Sequence, residues 1–536
     1  MRPATPSARP SPSPLEWLCL AAGLVLLLRY AWLMDDAYVY FRYVDNWVFL
    51  GHGLVYNRGE YLEGFSSPLW ALLLGLLRRS TIGYWILVRL LGVVSFVVIW
   101  WALVRLNRRL APPGAPAVNL PLLFVAFAYG PLCYFTSGLE TPLVQVAAPI
   151  YALFLVSPAG WGLEIALALS PLLRHELALA LGLVALFVWA RDGRFPWRLF
   201  FLSAAFTGGW LLFRVWYYAD LFQNTFYLKN LVDVPQGLVY LRNTTDTYAL
   251  GAWLLLHAGL LVWLFRARSR PAWLAERAVM IGVSLALTAY VVKIGGDPRH
   301  YRFLAFPFVL TLCALSGLLE AAIAQLPAAR RGLVAGAAGL AIGAFALSAY
   351  PPQLREHPIW LGDQAVMVDK IKDAAEHRRM ELLTPPLLSS GASIEQLDDY
   401  RRRDARGKPY DAVYHESGCV YLYQAWDRYA LHTLGLTDGI LGRTDMVPDR
   451  PAHKLGLIPL AQDMRPILRE VRGRPHRGMY RAAVERGAAP AWIERNLETI
   501  ELIERKLYNR HDFVENLGLA LSFPDRIDPG PRREPR

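Results

Sequence analysis

The sequence predicts an α-helical polytopic membrane protein of about 11 transmembrane helices of roughly 20 residues each, N-terminus in and C-terminus out. A C-terminal mixed α/β extracytoplasmic domain is expected to follow them. Three observations predict this class. The 536 residues are 54% hydrophobic with 18 Trp and a mean hydropathy of +0.26, too apolar for a string of soluble domains. Apolar runs of span length recur along the first two thirds of the chain, and arginine clusters alternate between them.

The runs are Leu15 to Met34, Tyr84 to Val104, Leu120 to Phe135, Pro142 to Val156, Trp197 to Tyr217, Leu250 to Phe265, Val279 to Val292, Phe303 to Ala324 and Leu333 to Tyr350. Two shorter ones, Trp161 to Leu173 and Leu177 to Ala190, read either as tilted spans or as one re-entrant hairpin. Both readings leave the parity of the chain unchanged. Arg105, Arg108 and Arg109, then Arg191, Arg194 and Arg198, then Arg266, Arg268, Arg270 and Arg277, then Arg330 and Arg331 fall on one side together with Arg2 and Arg9. By the positive-inside rule that side is the cytoplasm. The opposite loops carry acids: Asp35, Asp36, Glu140, Glu176 and Asp297. Residues 1–14, rich in Pro and Ser, read as a disordered cytoplasmic tail, 15–350 as the transmembrane domain with a first outer loop over 35–83, and 351–536 as a soluble extracytoplasmic domain.

The net charge of +12 does not indicate nucleic acid, because much of it sits on loop arginines and at Arg532 to Arg536. Cys19, Cys133 and Cys313 lie in spans and Cys419 stands alone, so neither a disulfide framework nor a zinc spacing is present. The sequence carries no P-loop, dinucleotide fingerprint or internal repeat, which argues against ATP-driven chemistry. After Pro351, charged helical stretches are expected at Asp363 to Met380 and Trp492 to Tyr508, strand-like residues at Ala412 to Tyr414 and Cys419 to Tyr423, and a loop at Leu434 to Ile440.

The densest chemistry lies between Asp35 and Trp70. Charge beside hydrocarbon is costly to keep and marks a functional site by default, although a double acid after an anchor can also cap a helix or simply be solvated. Asp36 can cap a helix whose Tyr40, Tyr43, Val44 and Trp47 form an aromatic stripe suited to the membrane interface, stopped by Gly51. Ser67 before Pro68 reads as a second helix start.

The segment DDAYVYFRYVDNWVFLGHGLVYNRGEYLEGFSSPLW, Asp35 to Trp70, resembles the first extracytoplasmic loop of GT-C glycosyltransferases, specifically the branch of the terminal β-(1→2) arabinofuranosyltransferase of cell-wall arabinan. Ser137-Gly138-Leu139-Glu140-Thr141-Pro142, Asn224-Thr225-Phe226-Tyr227-Leu228-Lys229, Gly295-Gly296-Asp297 and Gly435-Leu436-Thr437-Asp438-Gly439 are further similar points. Arg174-His175-Glu176 stands where that branch more often shows Arg-Pro-Glu, and Gln223 precedes Asn224 where proline is usual. The resemblance implies a GT-C-like fold, a lipid-linked sugar donor and a bacterial plasma (inner) membrane setting with residues 351–536 in the periplasm.

Transfer from a polyprenyl-phosphate sugar needs a base for the acceptor hydroxyl, cations for the departing phosphate and exclusion of water. Asp35 is the candidate base with Asp36 as its orienter or as the cap, the reverse assignment remaining open. Lys229, Arg299 and Arg302, with Arg42 and Arg174 behind them, are the candidate phosphate ligands; snorkelling to lipid headgroups is the competing role. Tyr227 and Tyr301 could line a sugar or prenyl groove, or belong to an aromatic belt. Glu63, Glu140, Glu176 and Asp297 could bind acceptor hydroxyls, hold a divalent cation, or pair with arginines, notably Glu176 with Arg174 and Asp297 with Arg299 or Arg302. His52, between two glycines, could reach substrate or be polar surface. The expected partners are the lipid-phosphate sugar, an extracytoplasmic glycan or glycolipid acceptor and membrane lipid; the sequence points to no cofactor and leaves a divalent cation open. A transporter or flippase would place charges at mid-membrane and use repeats, neither of which is seen. A non-catalytic assembly factor on the same fold is the third reading.

Overall fold

The computed structural model describes residues 11–34, 36–157, 160–229, 232–266, 273–297, 299–350, 412–415, 429–432, 437–445, 457–471, 475–522 and 526–530. Asp35, and the sequence features expected at 363–380, 419–423 and 434–436, lie outside the described residues, as does the side chain of Lys229. The described chain is mostly helical and divides into two compact units, each drawn from three stretches. Unit 1 holds Met1–Trp32, Val88–Ala204 and Asp233–Leu382, and unit 2 holds Leu33–Leu87, Ala205–Val232 and Leu383–Arg536.

Among the described residues five helical segments are long and apolar enough to cross a membrane: Tyr84–Leu110, Trp197–Tyr218, Leu274–Lys293, Arg302–Ala324 and Ala328–Ser348. The pair Val234–Thr247 and Leu250–Arg266, bent by 63°, makes a sixth if it is one span. The remaining apolar runs form shorter helices. Leu15 to Met34 gives a helix only over Pro14–Arg29, begun by a capping box in which the Ser13 hydroxyl accepts from the Glu16 amide and the Glu16 carboxylate accepts from the Ser13 amide. Leu120 to Phe135 is interrupted: the helix Leu120–Phe127 ends at an extended Ala128, and a short helix Tyr129–Cys133 follows. Pro131 has no amide hydrogen to continue a ladder. Gly130 lies so close to Tyr248 that a Cβ would meet its hydroxyl at 2.3 Å. The segment between Trp161 and Ala190 forms helices over Trp161–Leu169 and Leu177–Asp192 with a 3-10 turn, Ser170–Leu172, after the first.

In unit 1 the helix Ala305–Leu315 is buried along its whole length, packed between Thr141–Val156 and Leu274–Lys293. An element apolar on every face is stable only when surrounded in this way. Its Phe308 interlocks with the neighbouring Tyr301 and Tyr248 as edge-on and tilted rings.

Unit 2 forms around the helix Ala37–Val48, in which every residue from Ala37 to Asn46 is buried. This corrects the expectation of an interfacial stripe. Tyr40, Tyr43 and Val44 are core residues, because the following loop wraps over them: the Tyr43 hydroxyl donates to the Leu62 carbonyl and accepts from the Gly64 amide, and the Tyr40 hydroxyl accepts from the Ser67 amide. Phe41 stacks on Tyr84 at 3.9 Å, and Trp47 lies on Gly75 of the helix Pro68–Arg78, where a Cβ would meet the indole at 2.3 Å. The later part of the unit contains a parallel pair of strands, Ala412–His415 and Tyr429–His432, and the helices Leu457–Glu470, Met479–Glu485, Ala491–Arg495, Leu497–Leu507 and Phe513–Leu521. The stretch expected to be helical from Trp492 to Tyr508 is thus two helices broken at Asn496.

Candidate functional site

In unit 2, Asp36 occupies the residue before the Ala37–Val48 helix, but its own backbone is already helical and its side chain makes no capping bond to that helix. Its expected role as a side-chain cap is therefore not what the geometry shows. The Asp36 carbonyl accepts from the Val39 amide, so the backbone, not the carboxylate, starts the first turn. Asp36 is half-buried.

The loop beyond that helix is organised by buried polar side chains. Arg42 donates to the Tyr56 carbonyl at 2.8 Å and to the Asn57 side chain at 3.3 Å, with its guanidinium over the Tyr56 ring. Asn46 donates to the carbonyls of Val55 and Tyr56, and its amide oxygen lies 3.4 Å from His52 Nδ1. Both Arg42 and His52 thus hold the shape of residues 52–57. Glu63 is fully buried and takes an ion pair from Arg214 and a hydrogen bond from Trp210 Nε1 at 3.2 Å. It is a paired acid, as the bland alternative in the sequence required, though with a partner the sequence did not indicate.

Two further buried clusters in unit 2 were not foreseen. Glu60 accepts from the hydroxyls of Tyr429 and Tyr508 at 2.9 Å each and from Asn57 at 3.0 Å. Burial pushes its carboxyl up to about 7 in spite of those bonds. Asp220 accepts from the Tyr227 hydroxyl at 2.6 Å, pairs with Arg443, and lies 3.6 Å from Lys506 Nζ. Arg443 also covers the Tyr227 ring and donates to Asn224 and Gly439. The resemblance-marked residues Asn224, Tyr227 and Asp438 meet here, since Asn224 donates to the Asp438 carbonyl and the Asp438 carboxylate caps the Gly439–Gly442 turn. Desolvation raises Asp438 to about 6.

In unit 1 the structure brings together five of the candidate residues. Glu140 precedes the helix Thr141–Val156, Glu176 precedes Leu177–Asp192, and Asp297 and Arg302 lie on the turn before Ala305–Leu315. Arg174 pairs with Glu176 and, at 3.3 Å, with Glu140; Arg302 lies 3.4 Å from Asp297 and 3.9 Å from Glu140. The Arg174 guanidinium stacks on Phe303 at 4.2 Å. Of the two pairings weighed for Asp297, the side chain of Arg302 takes one carboxylate oxygen while the Arg299 backbone amide takes the other at 2.8 Å. Glu140 is fully enclosed, and its Oε2 has no hydrogen-bond partner among the described residues. Burial works to raise the Glu176 carboxyl, but Arg174 and His175 outweigh it and the net shift is downward. Two acids at helix N-termini also sit favourably in the dipole field. Tyr301 is buried among Tyr134, Tyr248 and Phe308 and donates to Gln145, which makes it a core residue, not a groove lining. The cluster can offer an acceptor oxygen to a hydroxyl, and its arginines are already largely neutralised. Among the described residues no group of three or more His, Cys, Asp or Glu side chains is placed to hold a metal ion.

No family model matches the chain, and no solved structure matches it. Two curated proteins do. A terminal β-(1→2)-arabinofuranosyltransferase of Mycobacterium tuberculosis is 28% identical over 353 residues, 55% of this chain and 54% of that protein. A protein of the same name from Corynebacterium glutamicum is 27% identical over 338 residues, 53% of this chain and 48% of that protein. The chain spans about half the length of the curated relatives it matches. Similarity of this extent relates the chain to the terminal β-(1→2)-arabinofuranosyltransferases, the branch that its first-loop residues resemble.

Proposed function

We propose that the chain is a membrane glycosyltransferase of the GT-C type that moves a sugar, in the pentose class of arabinofuranose, from a polyprenyl-phosphate donor to an extracytoplasmic glycan or glycolipid. The observation that carries this reading is the similarity to two transferases of that name. It is supported by the acid pair Asp35-Asp36 at the end of an apolar run and by the membrane-capable helices. In the proposed step Asp35 or Asp36 takes the proton of the acceptor hydroxyl as its oxygen attacks the anomeric carbon. The bond from that carbon to the phosphate oxygen breaks, the polyprenyl phosphate leaves with the electron pair, and the configuration inverts. Lys229, Arg299 and Arg302 would receive the charge of the leaving phosphate. Arg42 and Arg174, which hold the 52–57 loop and the Glu140–Glu176 pair, would act as positioning residues. Glu140 Oε2 is suited to accept from a sugar hydroxyl.

The test is transfer by purified protein in lipid, supplied with a panel of polyprenyl-phosphate sugars. A general base contributes about 100- to 10,000-fold, so Asp35→Asn or Asp36→Asn should lose activity on that scale while still binding donor. Absence of transfer from every donor, or full activity in both variants, would overturn the mechanism. A reporter fused after Tyr350 tests the orientation: activity only outside the cytoplasm is expected, and a cytoplasmic signal would remove all the named loops from the donor's side.

A further inference from the structure

The last described helix of unit 2, Phe513–Leu521, has an apolar face that no other described residue of its unit covers. Val514 is 80% exposed, Leu521 59%, Phe513 41% and Leu517 38%. At 3.6 residues per turn these four fall within about 100° of arc, and the buried Asn516, Leu519 and Ala520 occupy the arc adjoining it on the Phe513 side. Soluble surfaces rarely gather large apolar side chains in this way.

The buried side fixes where that face lies. Asn516 Nδ2 donates to the Trp216 carbonyl at 2.7 Å and to the Asn509 side chain at 2.9 Å, and Asn509 Nδ2 donates to the Tyr217 carbonyl at 3.1 Å. His511 stacks on the Tyr217 ring, 5.0 Å away and nearly parallel. Trp216 and Tyr217 end the membrane-capable helix Trp197–Tyr218, whose last carbonyls have no partner within the helix itself. The C-terminal helix therefore caps the end of a candidate span. That span exposes Leu211, Leu212 and Trp216, and Phe222 just beyond it is also exposed. The helix with the uncovered face is thus bound to the end of a candidate span that itself exposes large apolar side chains.

We infer that Phe513–Leu521 is an interfacial anchor: Phe513, Val514, Leu517 and Leu521 insert among the acyl chains beside the end of Trp197–Tyr218 and hold the C-terminal part of unit 2 on the bilayer. The occupant of this face is lipid. Asp512, which caps the helix through the Glu515 amide, and the exposed Glu515 keep its rim polar. Helices of this kind bind by buried apolar area with a polar side left in water. The inference needs the membrane setting but not sugar transfer, so its failure and that of the transferase reading are separable.

The full chain is reconstituted in phospholipid vesicles with benzoylphenylalanine at position 514, 517 or 515, irradiated, and weighed intact. Phospholipid adducts are expected for Val514→benzoylphenylalanine and Leu517→benzoylphenylalanine, several-fold above Glu515→benzoylphenylalanine. Adducts of twice the chain mass at 514 and 517 would show a second copy on the face and overturn the assignment. Lipid yields equal at all three positions, or absent at 514 and 517, would do the same.

Discussion

The buried ion clusters of the two units are built with opposite charge balances. In unit 1 three carboxylates, Glu140, Glu176 and Asp297, face two guanidiniums, Arg174 and Arg302. In unit 2 one carboxylate, Asp220, faces Arg443 and Lys506. Burying an ionic group without full pairing is costly, so the imbalance states which charge each cluster holds in excess. The first has more carboxylates than cations, the second more cations than carboxylates. Each unit also holds a buried carboxylate, Glu176 in unit 1 and Glu60 in a separate cluster of unit 2, and the two answer pH with opposite sign. Glu176 is held below the usual carboxylate range, so its contribution is present above the unfolded value and disappears as pH falls through the folded one. Glu60 is raised from 4.5 to about 7, so its protonated form supports the fold at low pH and that support fades as pH climbs between those values.

The largest expected effect comes from Arg174→Leu. It leaves Glu176 and Glu140 buried with one shared cation removed, and a loss of about 3 to 5 kcal/mol is expected by thermal or denaturant unfolding in detergent. A loss below ~1 kcal/mol would mean the cluster is hydrated and not ion-paired. Arg443→Leu comes next, at roughly 2 to 3 kcal/mol, since Lys506 remains beside Asp220. Should it exceed the first, unit 2 would be the more dependent on its cations. Glu60→Gln is expected to flatten the fall in stability between pH 4.5 and about 7. Hydrogen exchange of peptides covering 57–62, corrected for intrinsic rates, would show this, with peptides covering 174–180 changing in the opposite direction on acidification. An unchanged slope in the variant would remove Glu60 as its source. Arg242→Ala is the smallest: its pair with Asp246 is exposed at 83% and 63%, and less than ~0.5 kcal/mol should be lost. A larger loss would show that exposure does not separate the pairs as supposed.

What the sequence made legible follows from distance along the chain. Arg174 with Glu176 and Asp297 with Arg302 are two and five residues apart, so their pairing could be weighed from spacing alone. Asp220 with Arg443 is separated by 223 residues and Glu63 with Arg214 by 151, and no periodicity links them. Tyr40 and Tyr43 show the same limit differently. Their three-residue spacing correctly marked one helical face, but which environment covers that face depended on hydrogen bonds from residues 62–67. Apolar runs likewise gave membrane-capable helices at Trp197–Tyr218 and Leu274–Lys293, while the run from Leu120 was interrupted at Ala128 beside a close approach of Gly130 to Tyr248. The acid-rich clusters on Glu140, Glu176 and Asp297 were named residue by residue; Glu60 and Asp220 carried no signal beyond being acids in loops.

The bond between Glu60 and Tyr508 spans 448 residues, and that between Asn57 and Ala430 spans 373. A ribosome adding about 5 to 20 residues per second needs roughly 20 to 90 s to bridge the longer gap. For that interval the first loop exists without the tyrosines that will enclose its carboxylate. Birth of this protein therefore includes a period in which Asn57 and Glu60 depend on water or on another cellular factor, and truncation anywhere before the last helices would leave the loop permanently in that immature state.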